Sequence, residues 1–325
     1  MRCNLIVTSR KCPECKRDAY NLHIEKSGLS PVFQNQMKRI QSAVDENYGE
    51  GCGQSLIPDD RTALFQSFPD HRRLIINGGV VGRLSNDGRV ALNAAGLRMI
   101  SDKISKNYIR CDHDSSFFAE KGRNLMVTGI TEHSKGLSEG DVVAILDEKG
   151  VPISDGVMKM NDEELDSSDR GVAVKTRYND SPRTYDGKEM NTWAQTIDSN
   201  KVALGALAGD TARNIKDVQK SYGYPVVVDL SSDIVSEANL LLTLEAGYKP
   251  SVLVRKEDDF VDYLIEKHGL TKIKELPEKC FIITDDDRSN DENIFLSPTS
   301  DWDPTAVWMY VMLRSEPFDP RYLQS

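Results

Sequence analysis

The sequence predicts an α/β-plus-β protein. A cysteine-bearing amino-terminal segment and a small β domain come first, then a small barrel or pseudobarrel, then a carboxyl-terminal doubly wound parallel α/β sheet. Three observations predict this. The stretch PVVVDLSSDIVSEANLLLTLEAG, Pro225 to Gly247, runs from an apolar strand through a short polar turn into an apolar, helix-favouring segment; that is the opening unit of an open parallel sheet. Residues 107–178 carry short apolar runs punctuated by Gly122, Gly140, Gly150 and Gly171, the pattern of a small barrel. Residues 54–105 carry two hairpin turn signals, Asn77-Gly78-Gly79 and Asn86-Asp87-Gly88.

The elements follow in order. Residues 1–53 form the cysteine-containing region, with a short helix expected over Gln34–Val44 that places Ile40 and Val44 on one face. Residues 54–106 form the small β-rich domain. In 107–178 strands are expected at Leu125–Val127, Asp141–Leu146, Val151–Met160 and Gly171–Arg177. Residues 179–189 are polar and rich in turn formers, and read as a linker. The last domain, 190–325, begins with one or two helices whose expected buried stripe is Trp193, Ile197, Val202, Leu204, Leu207, Ile215 and Val218. Strand and helix then alternate: Pro225–Val228, Ser236–Leu244, Ser251–Val254, Phe260–Lys267, Phe281–Thr284 and Thr305–Leu313.

Composition narrows the function classes. With 325 residues, two or three domains are expected. The net charge of −10 argues against a polybasic coat, while leaving room for a local basic patch. No apolar run is long enough to span a bilayer and the amino terminus has no apolar signal core, so the expected location is cytoplasmic. Four of the six cysteines lie in the first 52 residues, two of them as Cys12-Pro13-Glu14-Cys15. Without a secretion signal, this points to metal binding before disulfides.

The stretch around the polar turn resembles the pyrophosphate loop of archaeal phosphoadenosine phosphosulfate (PAPS) reductase-like proteins, approximately PVVVSFSGGKDSLATLLL. Val226–Val228 match its strand, Leu240–Leu242 its helix, and Ser231 and Ser236 its two serines. The loop is degenerate: Ser232 and Asp233 replace the glycines, Ile234 the lysine, Val235 the aspartate, and Asp229 the preceding serine. SLIPDDRTALFQSF and NIFLSPTSDWDPTAVWMYVMLRSEPFDPRY resemble further family segments, and KGRNLMVTGI…GLSEGDVVAIL…GVAVKTRY resembles a PUA domain, an RNA-binding pseudobarrel.

The resemblance implies a set of site residues. A zinc knuckle is implied, with Cys3, Cys12 and Cys15 as ligands and Cys52 or His23 completing four-coordinate zinc. RNA contact through the first PUA helix and its glycine loop is implied, at Phe117, Phe118, Lys121, Gly122 and Arg123, with Lys135, Lys175 and Arg177 widening the patch. The basic residues His71, Arg72, Arg73, Arg83, Arg89 and Arg98 extend a phosphate track if they share a face with that loop. Asp229, Asp233 and Glu237 either gather a cation or favour and cap a helix start. The tail cysteine on which the family's reduction relies has no counterpart, since none follows Cys280, which reads as a core thiol.

The expected protein is therefore a non-catalytic RNA-binding protein. Its expected partner is a structured RNA such as tRNA or rRNA, with a ribosome-bound factor as one concrete form, and zinc is the expected structural metal. The alternatives are a sulfonucleotide reductase or ATP-dependent RNA sulfur transferase, or an inactive subunit paired with a protein partner.

Overall fold

In the computed structural model the described residues are 3, 5–20, 28–59, 61–177, 191–285 and 293–314. The chain divides into two compact units, one built on residues 27–193 and the other on 194–325, with the first 26 residues divided between them. Among the described residues no helix is long and apolar enough to cross a membrane.

The first unit opens with β1 (Leu29–Pro31), α1 (Gln34–Tyr48) and α2 (Cys52–Leu56), followed by β2 (Ala63–Ser67), β3 (His71–Ile76), β4 (Gly79–Ser85), β5 (Val90–Leu92) and α3 (Ala94–Met99). The strands form one sheet in chain order, antiparallel throughout. The β3–β4 hairpin closes at Asn77-Gly78, where both residues take positive φ, 50° and 77°, as the Asn-Gly pair favours. Met37, Ile40, Val44 and Tyr48 recur at helical spacing on α1 and are buried against the sheet. The sheet starts at Leu29, upstream of the expected boundary at residue 54, because β1 has three residues and no alternation to reveal it.

The barrel follows: β6 (Tyr108–Cys111), α4 (His113–Glu120), β7 (Leu125–Met126), β8 (Ile130–His133), β9 (Val142–Leu146), β10 (Pro152–Met158), α5 (Asp162–Ser167) and β11 (Val172–Thr176). The four expected strands are present, each trimmed at its ends, and β6 and β8 are additional. The sheet order is β7-β11-β10-β9-β6-β8. Its two edge strands, β7 and β8, are joined through a single 3-10 turn, Val127–Gly129, so the sheet curls back on itself into a nearly closed pseudobarrel.

Strand β9 serves two cores. Val143 and Ile145 pack inside the barrel with Ile109, Leu125 and Val174. Ala144 and Leu146, on the opposite face, pack with α1 and the five-stranded sheet. The period-2 alternation of a strand makes this possible.

The second unit contains α6 (Trp193–Tyr222), β12 (Val226–Asp229), α7 (Ile234–Glu245), β13 (Ser251–Leu253), α8 (Asp259–His268), β14 (Thr271–Ile273), β15 (Phe281–Ile283), β16 (Ile294–Leu296) and α9 (Pro304–Leu313). All strand pairs are parallel, in the order β14-β13-β12-β15-β16. The order reverses at β12, so the topological switch point lies at its carboxyl end. Helix α7 is buried on nearly all sides and packs against α9.

Residues 193–222 form one helix, and its stripe differs from expectation. Val202 is 86% exposed, whereas Thr196, Asn200, Leu204, Ala208, Thr211, Ala212 and Ile215 are buried. The buried line includes small and polar residues that apolar periodicity does not mark. Asn200 is satisfied there by donating to the Ile6 carbonyl (2.8 Å) and accepting from the Thr8 amide (3.0 Å).

The α1–α2 crossing depends on Gly53, where an added Cβ would lie 2.2 Å from the Gln41 carbonyl oxygen. Gly53→Ala should lower the unfolding free energy by about 1–3 kcal/mol, read from the denaturant midpoint at unchanged slope. An unchanged midpoint would contradict the tight crossing.

Candidate nucleic-acid interface

Helix α4 is fixed at both ends. Asp112 caps it by accepting from the Ser115 amide at 2.7 Å. At the other end the Arg123 amide donates to Phe118 O (3.0 Å) and the Gly122 amide to Ala119 O (2.9 Å). With Gly122 at φ 75°, this is a Schellman turn. Glycine is required there because the left-handed conformation is strained for any residue with a Cβ. Ala119 anchors the helix in the barrel core, and Gly129 lies directly beneath Ser115.

This turn folds two cations back over two exposed rings. Phe117 and Phe118 are 54% and 45% exposed and meet edge to face at 5.8 Å. Lys121 Nζ sits 3.6 Å from the Phe117 ring centre, and the Arg123 guanidinium 5.5 Å from that of Phe118. Such contacts contribute about 0.5–1 kcal/mol each at exposed sites. Large apolar rings with cationic edges can stack bases and meet phosphates.

Two of the other expected contact residues, Lys135 and Arg177, have acidic partners. Lys135 pairs with Asp166 at 3.0 Å, and His133 pairs with the same carboxylate at 2.9 Å. Lys175 is exposed on β11. Arg177 Nη1 meets Asp155 Oδ2 at 2.6 Å, and Asp155 is only 3% exposed. Burial pushes the Asp155 carboxyl above its ordinary range, against the opposing pull of Arg177 and Arg83. Asp155 was not expected in any role; the only sequence signal was a charge inside β10, PISDGVM, whose one other polar side chain is Ser154.

The basic residues of 71–98 do not act as one patch. Arg72 lies over Phe65 (5.5 Å) and Arg73 over Phe68 (4.6 Å). Arg98 Nε donates to the Pro152 carbonyl at 3.0 Å. Instead His71, Arg83 and Arg89 line a cleft together with Arg177.

The first fifteen residues gather three thiols. Cys3, Cys12 and Cys15 present sulfurs within 4.8 Å of one another, and sulfurs on a tetrahedral metal with bonds of ~2.3 Å sit about 3.8 Å apart. The Cys12–Cys15 turn is a tight hairpin: Lys16 N donates to Cys12 O (2.9 Å) and Cys12 N to Arg17 O (2.8 Å). Lys16 is held at φ 60°, uncommon without glycine and a mark of a constrained turn. These three residues could hold one metal ion. Cys52 lies outside the group, in the core with α1, where burial pushes its thiol up to about 11. That disfavours the thiolate a metal requires. His23 lies outside the described residues.

At the switch point of the second unit the polar loop binds itself. Asp233 Oδ1 accepts from the amides of Val235 (2.8 Å) and Ser236 (2.9 Å). Ser231 Oγ donates to the other carboxylate oxygen, and Ser236 Oγ donates to Ser231 O at 2.8 Å. Asp229 is held by Arg255 through Nε and Nη2, at 3.0 and 2.8 Å. Ser232 is half-buried in the same loop, and Glu237 is buried on α7. The helix-start reading of Asp233 thus fits the geometry. Cys280 is buried beside β15 in the core of this unit.

Residues 107–178 match the PUA domain family. Two uncharacterized proteins of Methanocaldococcus jannaschii are similar: one is 23% identical, covering 75% of this chain and 54% of its own length. The other is 34% identical over 74 residues, covering 22% of this chain and 46% of its own. The chain spans about half the length of the curated relatives it matches. Among solved structures, a hypothetical protein of Pyrococcus horikoshii is 20% identical, covering 46% of this chain and 93% of its own, with TM-score 0.41. A conserved PUA domain protein of Thermoplasma acidophilum is 17% identical, covering 50% and 95%, with TM-score 0.40.

If Asp233 fills the anion seat of α7, calorimetric titration with ATP, with or without magnesium, should give no binding heat. Asp233→Ala should cost the helix about 1 kcal/mol of stability. Micromolar ATP binding that disappears in Ser236→Ala would contradict this assignment.

Proposed function

We propose that this chain is a non-catalytic RNA-binding protein that meets its RNA through α4 and the Gly122 turn of the PUA domain. The observation that carries the reading is the paired aromatic and cationic display on that turn, within residues that match a PUA domain. Exposed rings offer faces to unstacked bases, and Lys121 and Arg123 offer charge to the flanking phosphates. A structured RNA with splayed bases, such as a tRNA or rRNA loop, fits this display, and a ribosome-bound form is one concrete case. Lys135 and Lys175 would widen the contact.

The second unit, on this reading, is an inactive PAPS reductase-like body. Its switch-point loop has the strand–turn–helix form of a phosphate site, yet the amides that would meet an anion are engaged by Asp233. A negative side chain in that position also repels phosphate. The unit then serves as a docking body for the RNA partner or for a protein partner.

The three amino-terminal thiols are proposed to hold structural zinc. His23 or water would complete the site, in place of the core residue Cys52. Metal analysis should find one zinc per chain, reduced in Cys12→Ser. No metal, with Cys3, Cys12 and Cys15 all freely alkylated in the folded protein, would contradict the site.

RNA titrations over a range of salt separate the two halves of the interface. Lys121→Ala and Arg123→Ala should each weaken binding and flatten the salt dependence by about one unit of slope or somewhat less. Phe117→Ala should weaken binding by about 1–3 kcal/mol with the slope unchanged. Wild-type behaviour in all three variants would move the RNA site off this turn.

A further inference from the structure

The cleft between the five-stranded sheet and the barrel has a volume of about 220 Å³. One wall is His71, Arg83, Ser85, Arg89 and Ala91; Val142, Val157 and Arg177 lie across it. Both walls belong to the first unit and are joined through the core that β9 shares.

Its charges are arranged at a cost to the free protein. Arg83 stands directly opposite Arg73 in the β3–β4 ladder, and like charges so placed destabilise a sheet. Burial and the neighbouring Arg177 guanidinium both hold Arg83 below the ordinary arginine range. The other guanidinium groups at the cleft are aimed by acidic partners, Arg177 by buried Asp155 and Arg89 by Asp87 at 2.6 Å, and the His71 ring is hydrogen-bonded at 2.8 Å to Asp70, a carboxylate that also lines the cleft. His71 is also stacked on Phe68, with ring centres 4.9 Å apart. Such a set presents guanidinium groups to whatever enters, beside the apolar side chains of Val90, Ala91, Val142 and Val157.

We propose that this cleft is a second RNA subsite, separate from the α4 turn, in which Arg83, Arg89 and Arg177 bind one backbone phosphodiester. Guanidinium forks match phosphate oxygens in geometry and charge. The volume falls below the ~300–1,000 Å³ of pockets that enclose a whole small-molecule ligand. A single phosphate with part of its ribose matches this volume. Val90, Ala91, Val142 and Val157 suit the ribose carbons. The proposal rests on the RNA-binding reading above.

The test compares wild type, Arg83→Gln and Lys121→Ala by binding of a fluorescein-labelled RNA stem-loop at several salt concentrations. Thermal melting of each protein is measured with and without inorganic phosphate. Arg83→Gln removes a crowded charge, so it should melt at or above the wild-type temperature at low salt. It should bind RNA about 3- to 10-fold more weakly, with the salt slope flatter by about 0.7–0.9. Inorganic phosphate should raise the wild-type melting temperature and leave that of Arg83→Gln nearly unmoved. Full RNA affinity in Arg83→Gln, with affinity reduced in Lys121→Ala, would overturn the cleft subsite and leave the α4 reading standing. No RNA binding by the wild type would overturn both; phosphate stabilisation lost in Arg83→Gln would then mark the cleft as a site for a free phosphorylated molecule.

Discussion

Strand Val142–Leu146 has to satisfy two hydrophobic cores at once. Its odd-numbered residues Val143 and Ile145 close the barrel, while Ala144 and Leu146 close the layer of α1 and the five-stranded sheet. All four side chains are nearly or fully buried, so a one-residue slip would exchange the two faces and misplace every one of them. Much else in the first unit follows from this register. It sets Val142 of the barrel across from Arg83 and Ala91 of the sheet, and so forms the cleft. It also gives Arg98 a barrel carbonyl to bind, that of Pro152.

Within that frame the charged residues divide by what holds them. Lys121 and Arg123 are held by aromatic faces, which leave their donors open to a ligand. Lys135 is held by an exposed carboxylate, as most surface lysines are. Arg177 is held by a carboxylate that is itself buried. Removing Asp155 would leave that cation without its buried partner, while Asp155 alone would be an uncompensated charge. The pair thus ties the end of the last barrel strand to β10, and it makes the wall of the cleft rigid.

Much of this was legible in the residues. The helix and glycine loop around Lys121-Gly122-Arg123 were expected from the PUA resemblance, and the structure shows that loop to be a Schellman turn. Asn77-Gly78 marks its hairpin, and the strand–turn–helix of Val226 to Glu245 marks the centre of the parallel sheet. What was hidden had a physical cause in each case. Strands β1 and β14, Leu-Ser-Pro and Thr-Lys-Ile, lack the continuous apolar run that marked the equally short β13 and β15. The buried line on α6 runs through Asn200 and Thr196, which hydrogen bonding makes compatible with burial. The grouping of Arg83 with Arg177 joins residues far apart in sequence, and only the shared core of β9 brings them together. In the second unit, the polar turn with Ser232 and Asp233 was visible in the sequence. That the Asp233 carboxylate would turn inward and take the amides of its own helix was visible only in the structure.

On the proposed reading, RNA is met by the α4 turn of the barrel. Ultraviolet crosslinking of the native protein to the RNA that co-purifies with it, followed by mass spectrometry of the crosslinked peptides, tests this most directly. Crosslinks are expected within residues 113–123, on Phe117 or Phe118 foremost. Crosslinks confined to residues 194–314, or purified native protein with no associated RNA, would contradict it.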